Sequence, residues 1–230
     1  MATTVIFGEQ VEIPLDLRSL EDFRRWATSD DFPERGRIDY IVGRIEVDMS
    51  PEDFFCHGTL KGEIYAALHH LVKRGDLGHL VTDSTRVSSV EGDWSAEPDI
   101  VFVSHKALAE GVVCLIPSAA GKPGRYIEVF GAPDLIVEVV SDTSVAKDTR
   151  RLPAAYFKAG VREFWLADAR VPSGREPLVF RIHQRGENAF EPVEPDAEGF
   201  QRSSVFDCAF RLDGQCDPEG KWAFDLRNKP

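Results

Sequence analysis

Residues 135–140, LIVEVV, are apolar at five of six positions, and an unbroken aliphatic run of this length reads as a strand buried on both faces. Elsewhere the spacing of apolar and polar positions changes along the chain. Leu20, Phe23 and Trp26 recur at helical intervals behind Ser19, a suitable N-cap, which predicts a helix over 18–28. The segment RIDYIVGRIEVDM (37–49) carries apolar stretches on either side of Gly43 and predicts a β-hairpin. Leu60, Ile64, Ala67, Leu68 and Leu71 return to a helical period that Gly75 is placed to stop. Strands follow near 80–89 and 99–104, then the run at 134–141. A helix is expected over 148–159, with Pro153 tolerable only near its first turn and Gly160 at its end. REFWLAD (162–168) reads as another strand, and shorter strand-like pieces, LVFRIHQ and SSVFDCAFRL, lie between turns further on.

This order of elements predicts an α/β or α+β fold: a mixed sheet flanked by helices, with an N-terminal helix and hairpin. No linker divides the chain, so residues 1–230 are read as one domain, with a core over about 37–190 and a β-rich extension over about 191–230. The 230 residues are enough for a sizeable core without staples. No stretch reaches the roughly 20 apolar residues of a membrane span. The N-terminus lacks a basic start followed by an apolar block, so no signal peptide is expected. The four cysteines show no CxxC pairing, which favours reduced thiols in a cytoplasmic protein over a Cys208–Cys216 disulfide. The net charge of −12 argues against a protein that coats nucleic acid by bulk electrostatics, while leaving room for a local basic groove or a site that collects cations.

One residue breaks the pattern. Glu138 sits inside the apolar run, where a lone carboxylate costs several kcal/mol unless it is protonated, paired with a cation or bound to a metal. A second segment echoes it. EPDIVFVS (97–104) and APDLIVEVVS (132–141) each open a β-branched run with Pro-Asp and end in Ser. Adjacent strands of this kind bring Asp99 towards Glu138, and two close carboxylates need a cation between them or a shared proton. Hard oxygen ligands suit Mg2+ or Mn2+. Asp134, also preceded by Pro, reads as a structural residue that opens its strand.

Taken together, YIVGRIEVDMSP (40–51), His57 at the head of a helix, PDIVFV, PDLIVEVVSDTS, Asp148, Tyr156 and AGVREFWLAD (159–168) resemble the PD-(D/E)XK nuclease superfamily. More narrowly, the chain resembles the bacterial putative restriction endonuclease (Uma-two) family over roughly residues 20–190. The resemblance implies a restriction-endonuclease-like core in which Asp99 and Glu138 hold Mg2+ (or Mn2+) for DNA phosphodiester hydrolysis. It also points to His57, Asp148 and Tyr156 as supporting residues, and to Glu63, because superfamily members often place an acid on that helix. The lysine expected two residues after the glutamate is Val140, and the one expected four residues after Asp148 is Leu152. Lys147 is the chemically closest replacement, since a lysine pKa can be tuned, with Arg151 as a source of fixed charge. Lys147, Arg150, Arg151, Lys158, Arg162, Arg170 and Arg175 cluster in one segment and are expected to form a basic patch for phosphates. Two rival readings follow: a catalytically inactive nuclease-fold protein that binds nucleic acid or protein, and a hydrolase of another phosphate ester. A homodimer is compatible with nuclease chemistry on both strands.

Overall fold

A computed structural model describes residues 4–7, 11–33, 36–118, 123–170 and 178–230. The chain opens with a hairpin, β1 (Thr4–Phe7) and β2 (Val11–Pro14), and then α1 (Leu20–Ala27). Ser19 caps α1 through its hydroxyl, which accepts from the Asp22 amide, as the spacing predicts. β3 (Arg37–Ile41) and β4 (Arg44–Asp48) form the expected hairpin, turning on Val42 and Gly43, both at positive φ. A wide helical turn, Phe54–Thr59, leads into α2 (Leu60–Gly75), which ends one residue later than expected on Asp76 in the left-handed region.

Four strands follow: β5 (Gly78–Thr82), β6 (Arg86–Ser89), β7 (Trp94–Ala96) and β8 (Ile100–Ser104). The short α3 (His105–Ala109) leads to β9 (Val113–Pro117), β10 (Tyr126–Gly131) and β11 (Leu135–Val139). A second wide turn, Lys147–Arg151, continues into α4 (Leu152–Ala159), with Pro153 in the first turn and Gly160 as the left-handed cap. β12 (Glu163–Asp168), β13 (Val179–Arg185), β14 (Phe190–Pro192), β15 (Gln201–Ser203), β16 (Cys208–Cys216) and β17 (Trp222–Lys229) complete the described chain.

The mixed sheet expected from the pattern is divided into two six-stranded mixed sheets, beside the two-stranded β1-β2 and the three-stranded β15-β16-β17. One sheet has the order β4-β3-β7-β6-β10-β9, with β6 and β10 parallel; the other runs β14-β13-β12-β11-β8-β5, with β11 and β12 parallel. β7, β9 and β10 escape sequence reading because they are short or irregular: β10 carries a register shift, and β9 alternates between buried and exposed without a clean period.

Strand alternation in β11 decides what its residues meet. Leu135, Val137 and Val139 face a core built with α2 and the C-terminal strands β16 and β17. Ile136 faces the other core, which holds α4 and residues of the first sheet such as Val87 and Trp94. Period two therefore sends Glu138, with Ile136, towards α4 and the first sheet. The β-rich C-terminal segment shares the α2-side core, contributing Phe206, Phe210, Trp222 and Leu226. The cysteines are free, and no helix among the described residues is long and apolar enough to cross a membrane.

Candidate functional site

Glu138 is 2% exposed and Asp99 1%, so both carboxylates lie inside the protein. β8 and β11 pair antiparallel with Val137 opposite Ile100, which brings Asp99, just before Ile100, beside Glu138, just after Val137. Asp99 Oδ2 accepts the Val139 amide at 2.8 Å, which ties the acid to the strand that carries Glu138. Burial alone raises the Asp99 carboxyl. A hydrogen bond from His57, the nearby Arg37 charge and the Val139 amide outweigh it and hold Asp99 well below the usual carboxylate range. Arg37 Nη2 lies 3.2 Å from Asp99 Oδ1.

Glu138 has the opposite balance. Burial, then Asp148 and Asp99, push its carboxyl well up; Lys147 and the hydroxyl of Tyr156, which donates to Oε1, only partly offset this. The two acids are thus shifted in opposite directions, Asp99 towards its charged form and Glu138 away from it. Asp148 is pushed up to about 7, mainly by burial and further by Asp99, against the pull of Lys147 and the Ser144 hydroxyl. Ser144 donates to Asp148 Oδ2, while Oδ1 is buried without a hydrogen-bond partner.

Lys147 is buried and donates to Asp39 Oδ2 at 2.9 Å. Its burial favours the neutral amine, but Asp39, Asp148 and Glu138 prevail and raise its pKa. Lys147 is therefore a fixed positive charge beside the acids, not the tunable amine that motivated its selection. Val140 is fully buried where the superfamily lysine would stand, and Leu152 is a core residue of α4.

His57, in the wide turn before α2, is 3% exposed. Its Nε2 lies 3.5 Å from Asp99 Oδ2. Its Nδ1 lies 3.2 Å from Glu52 Oε2 yet is buried without a hydrogen bond. Burial disfavours charge on the ring, but Asp99 and Glu52 raise its pKa overall. Glu52 also receives Lys61 at 2.9 and 3.0 Å, and Lys61 reaches Asp83 at 2.8 Å. Glu52, His57 and Asp99 each offer a ligand atom, and these lie within 4.8 Å of one another.

Arg37, Glu52 and His57 line a cleft of about 700 Å³ whose walls also include Val140, Thr143 and Arg170; the Asp99, Glu138 and Asp148 carboxylates lie behind its lining. A neighbouring recess of about 440 Å³ reaches Asp39, Glu46 and Lys147. Asp48 and Thr143 line both, and the Thr143 hydroxyl donates to Asp48 at 2.9 Å across the divide.

Of the residues singled out from sequence, Asp99, Glu138, His57, Lys147, Asp148 and Tyr156 come together. Two stand apart. Glu63 Oε1 accepts the Leu226 amide at 2.9 Å, so it anchors β17 and turns away from the acids. Arg151 pairs with Glu46 at 2.7 Å on the recess wall. Four cations of the expected basic patch are taken up in ion pairs, Lys147 with Asp39, Arg151 with Glu46, Arg162 with Asp134 and Arg170 with Asp168; Arg150 and Lys158 are exposed, and Arg175 lies outside the described residues. Asp134 also accepts the Ser104 amide at 2.8 Å, which fits the structural role read from its place at the head of the strand. Sequence reasoning missed Arg37, Asp39, Glu52 and Lys61. The one available signal was polar residues at Arg37 and Asp39 alternating with apolar Ile38 in the hairpin.

The sequence profile of Uma2, described as "Putative restriction endonuclease", matches residues 20–213. No curated protein matches the chain significantly. Among solved structures, a putative nuclease belonging to DUF820 from Anabaena variabilis is similar to this chain with a TM-score of 0.52. At 18% identity, with 82% of this chain and 90% of that one covered, the likeness establishes a shared fold.

Proposed function

The chain belongs to the Uma2 family of putative restriction endonucleases, and from that premise we propose that it is a metal-dependent endonuclease that hydrolyses DNA phosphodiester bonds. The observation that carries this reading is the buried group of three acids and one lysine, Asp99, Glu138, Asp148 and Lys147, with Lys147 on the wall of the recess of about 440 Å³. Structural carboxylates are normally matched by donors; here they are crowded, and one carboxylate oxygen has no partner.

The residues fit a divalent cation such as Mg2+ or Mn2+. Asp99 is favoured in its ionised form, and a cation beside Glu138 would offset the crowding by Asp99 and Asp148 that disfavours charge on its carboxyl. A cation held there would supply charge neutralisation at phosphorus and a more acidic water. The chain does the rest. Tyr156 orients Glu138 through its hydroxyl. Lys147, fixed by Asp39, adds a permanent charge that lowers the cost of bringing a phosphate to the acids. Arg170 lines the cleft, where it can meet the backbone of a bound strand.

Purified protein incubated with supercoiled, linear and single-stranded DNA and Mg2+ or Mn2+ tests the proposal. Cleavage lost in Asp99→Ala and in Glu138→Ala supports it; no cleavage of any DNA form overturns it. A second reading, a non-catalytic nuclease-fold binding module, is favoured by the apolar residues Val140 and Leu152 at both lysine positions. It predicts nucleic acid or partner binding that survives Asp99→Ala combined with Glu138→Ala.

A further inference from the structure

We infer that Glu52, His57 and Asp99 form a second cation position, at the mouth of the cleft, whose imidazole ligand makes it a site for a transition-metal ion in preference to Mg2+. The three donors come from separate segments: the loop after β4, the wide turn before α2, and the residue that opens β8. A chance surface cluster of acids has a different character. Here two of the three residues are buried, and only Glu52 reaches solvent.

The spacing fits. Neighbouring ligands on one ion at about 2.1 Å lie about 3 Å apart. One ligand atom from each of Glu52, His57 and Asp99 lies within 4.8 Å of the other two, close enough for small side-chain shifts to close the set around one ion. The buried, unbonded Nδ1 points at Glu52 and is the second, independent observation for a ligand. A polar ring atom stripped of water and given no partner is costly unless something occupies its lone pair or takes its proton.

Donor chemistry selects the ion. Imidazole suits first-row transition ions, whereas Mg2+ strongly prefers oxygen ligands and keeps its waters. Arg37 and Lys61 already pair with Asp99 and Glu52, so the ion must share these carboxylates. The Glu52 side chain is 44% exposed. Asp99 lies in both positions, which links this mouth site to the deeper Asp99–Glu138 pair of the proposed nuclease centre. The inference deepens that reading but is tested without DNA.

Calorimetric titration of the purified, chelator-treated chain with Mn2+, with pulsed EPR of the bound ion, decides it. Two saturable equivalents are expected, one of which gives an EPR signal with nitrogen modulation from a ring and is not displaced by a tenfold excess of Mg2+. His57→Ala and Glu52→Gln each weaken that equivalent at least about tenfold. Glu52 is partly exposed, so Glu52→Gln keeps the test valid if His57→Ala fails to fold. Absence of nitrogen modulation, displacement by equal Mg2+, or unchanged binding in Glu52→Gln overturns the inference. Cleavage need not occur for the site to stand, and its loss would leave the cleavage result intact.

Discussion

Two glutamates on neighbouring parallel strands show opposite uses of a buried carboxylate. Glu163, at the start of β12, is fully buried and fully matched: Trp165 Nε1 and the Ser203 hydroxyl donate to Oε1 at 2.6 Å, and the Ser204 amide and hydroxyl donate to Oε2 at 2.8 and 3.1 Å. Glu138, on β11, is as deeply buried but has one neutral donor, Tyr156, and two acidic neighbours. Burial therefore does not separate them; their partners do. A carboxylate ringed by donors holds strands together, as Glu163 joins β12 to β15. One crowded by other acids stores unfavourable energy that a bound cation can release.

Breaking each glutamate should separate activity from stability. Glu138→Ala is expected to lower DNA cleavage in Mn2+ by more than about a hundredfold, measured on supercoiled plasmid, with no loss of stability to urea. Glu163→Ala should do the reverse. It strands buried donors on Trp165, Ser203 and Ser204, and is expected to cost about 3–5 kcal/mol in urea unfolding with cleavage per folded molecule unchanged. Equal effects of the two substitutions on both readouts would erase the contrast.

The acid crowding also sets a pH dependence. Asp148 titrates at about 7 in the folded chain against 3.8 when unperturbed. Between these values the folded state holds a proton that the unfolded state has lost, so this group's contribution is complete below about 4 and disappears as pH rises through about 7. Asp148→Asn removes the effect. Its stability relative to the parent should rise by about 2–4 kcal/mol from pH 4 to pH 8, read from urea midpoints; a difference that stays flat with pH would refute the assignment.

Smaller effects sharpen the picture. Tyr156 donates to Glu138 and favours its ionised form. Tyr156→Phe is therefore expected to move the acidic limb of the cleavage profile to higher pH, with a rate loss near neutrality of about tenfold. The Glu46–Arg151 pair is partly exposed, and Glu46→Ala should change stability by less than about 1 kcal/mol.

Much of the architecture was readable from periodicity. Ser19 and Gly160 mark helix ends because capping is local chemistry, and the β3–β4 hairpin turns at Gly43 for the same reason. The paired Asp99 and Glu138 were readable because a charge inside an aliphatic run needs an explanation wherever the chain goes. The division into two sheets was not readable, because β7 and β10 are pinned by partners distant in sequence. Nor was the fate of the basic segment. Seven cations in one stretch look like a patch until Asp39, Glu46 and Asp134 arrive from other elements and, with the neighbouring Asp168, neutralise four of them.

By itself, then, the sequence determined where helices cap, which strand is buried on both faces and which acid within it is anomalous, since these depend on neighbours a few residues away. Only the tertiary structure decided that Glu138 is crowded and Glu163 satisfied, that Lys147 is locked to Asp39, that Glu63 serves β17, and that Glu52 and His57 meet Asp99. Those outcomes rest on contacts between groups up to 163 positions apart along the chain, and electrostatic and hydrogen-bond energies at a few ångströms are set by packing, which no local pattern encodes.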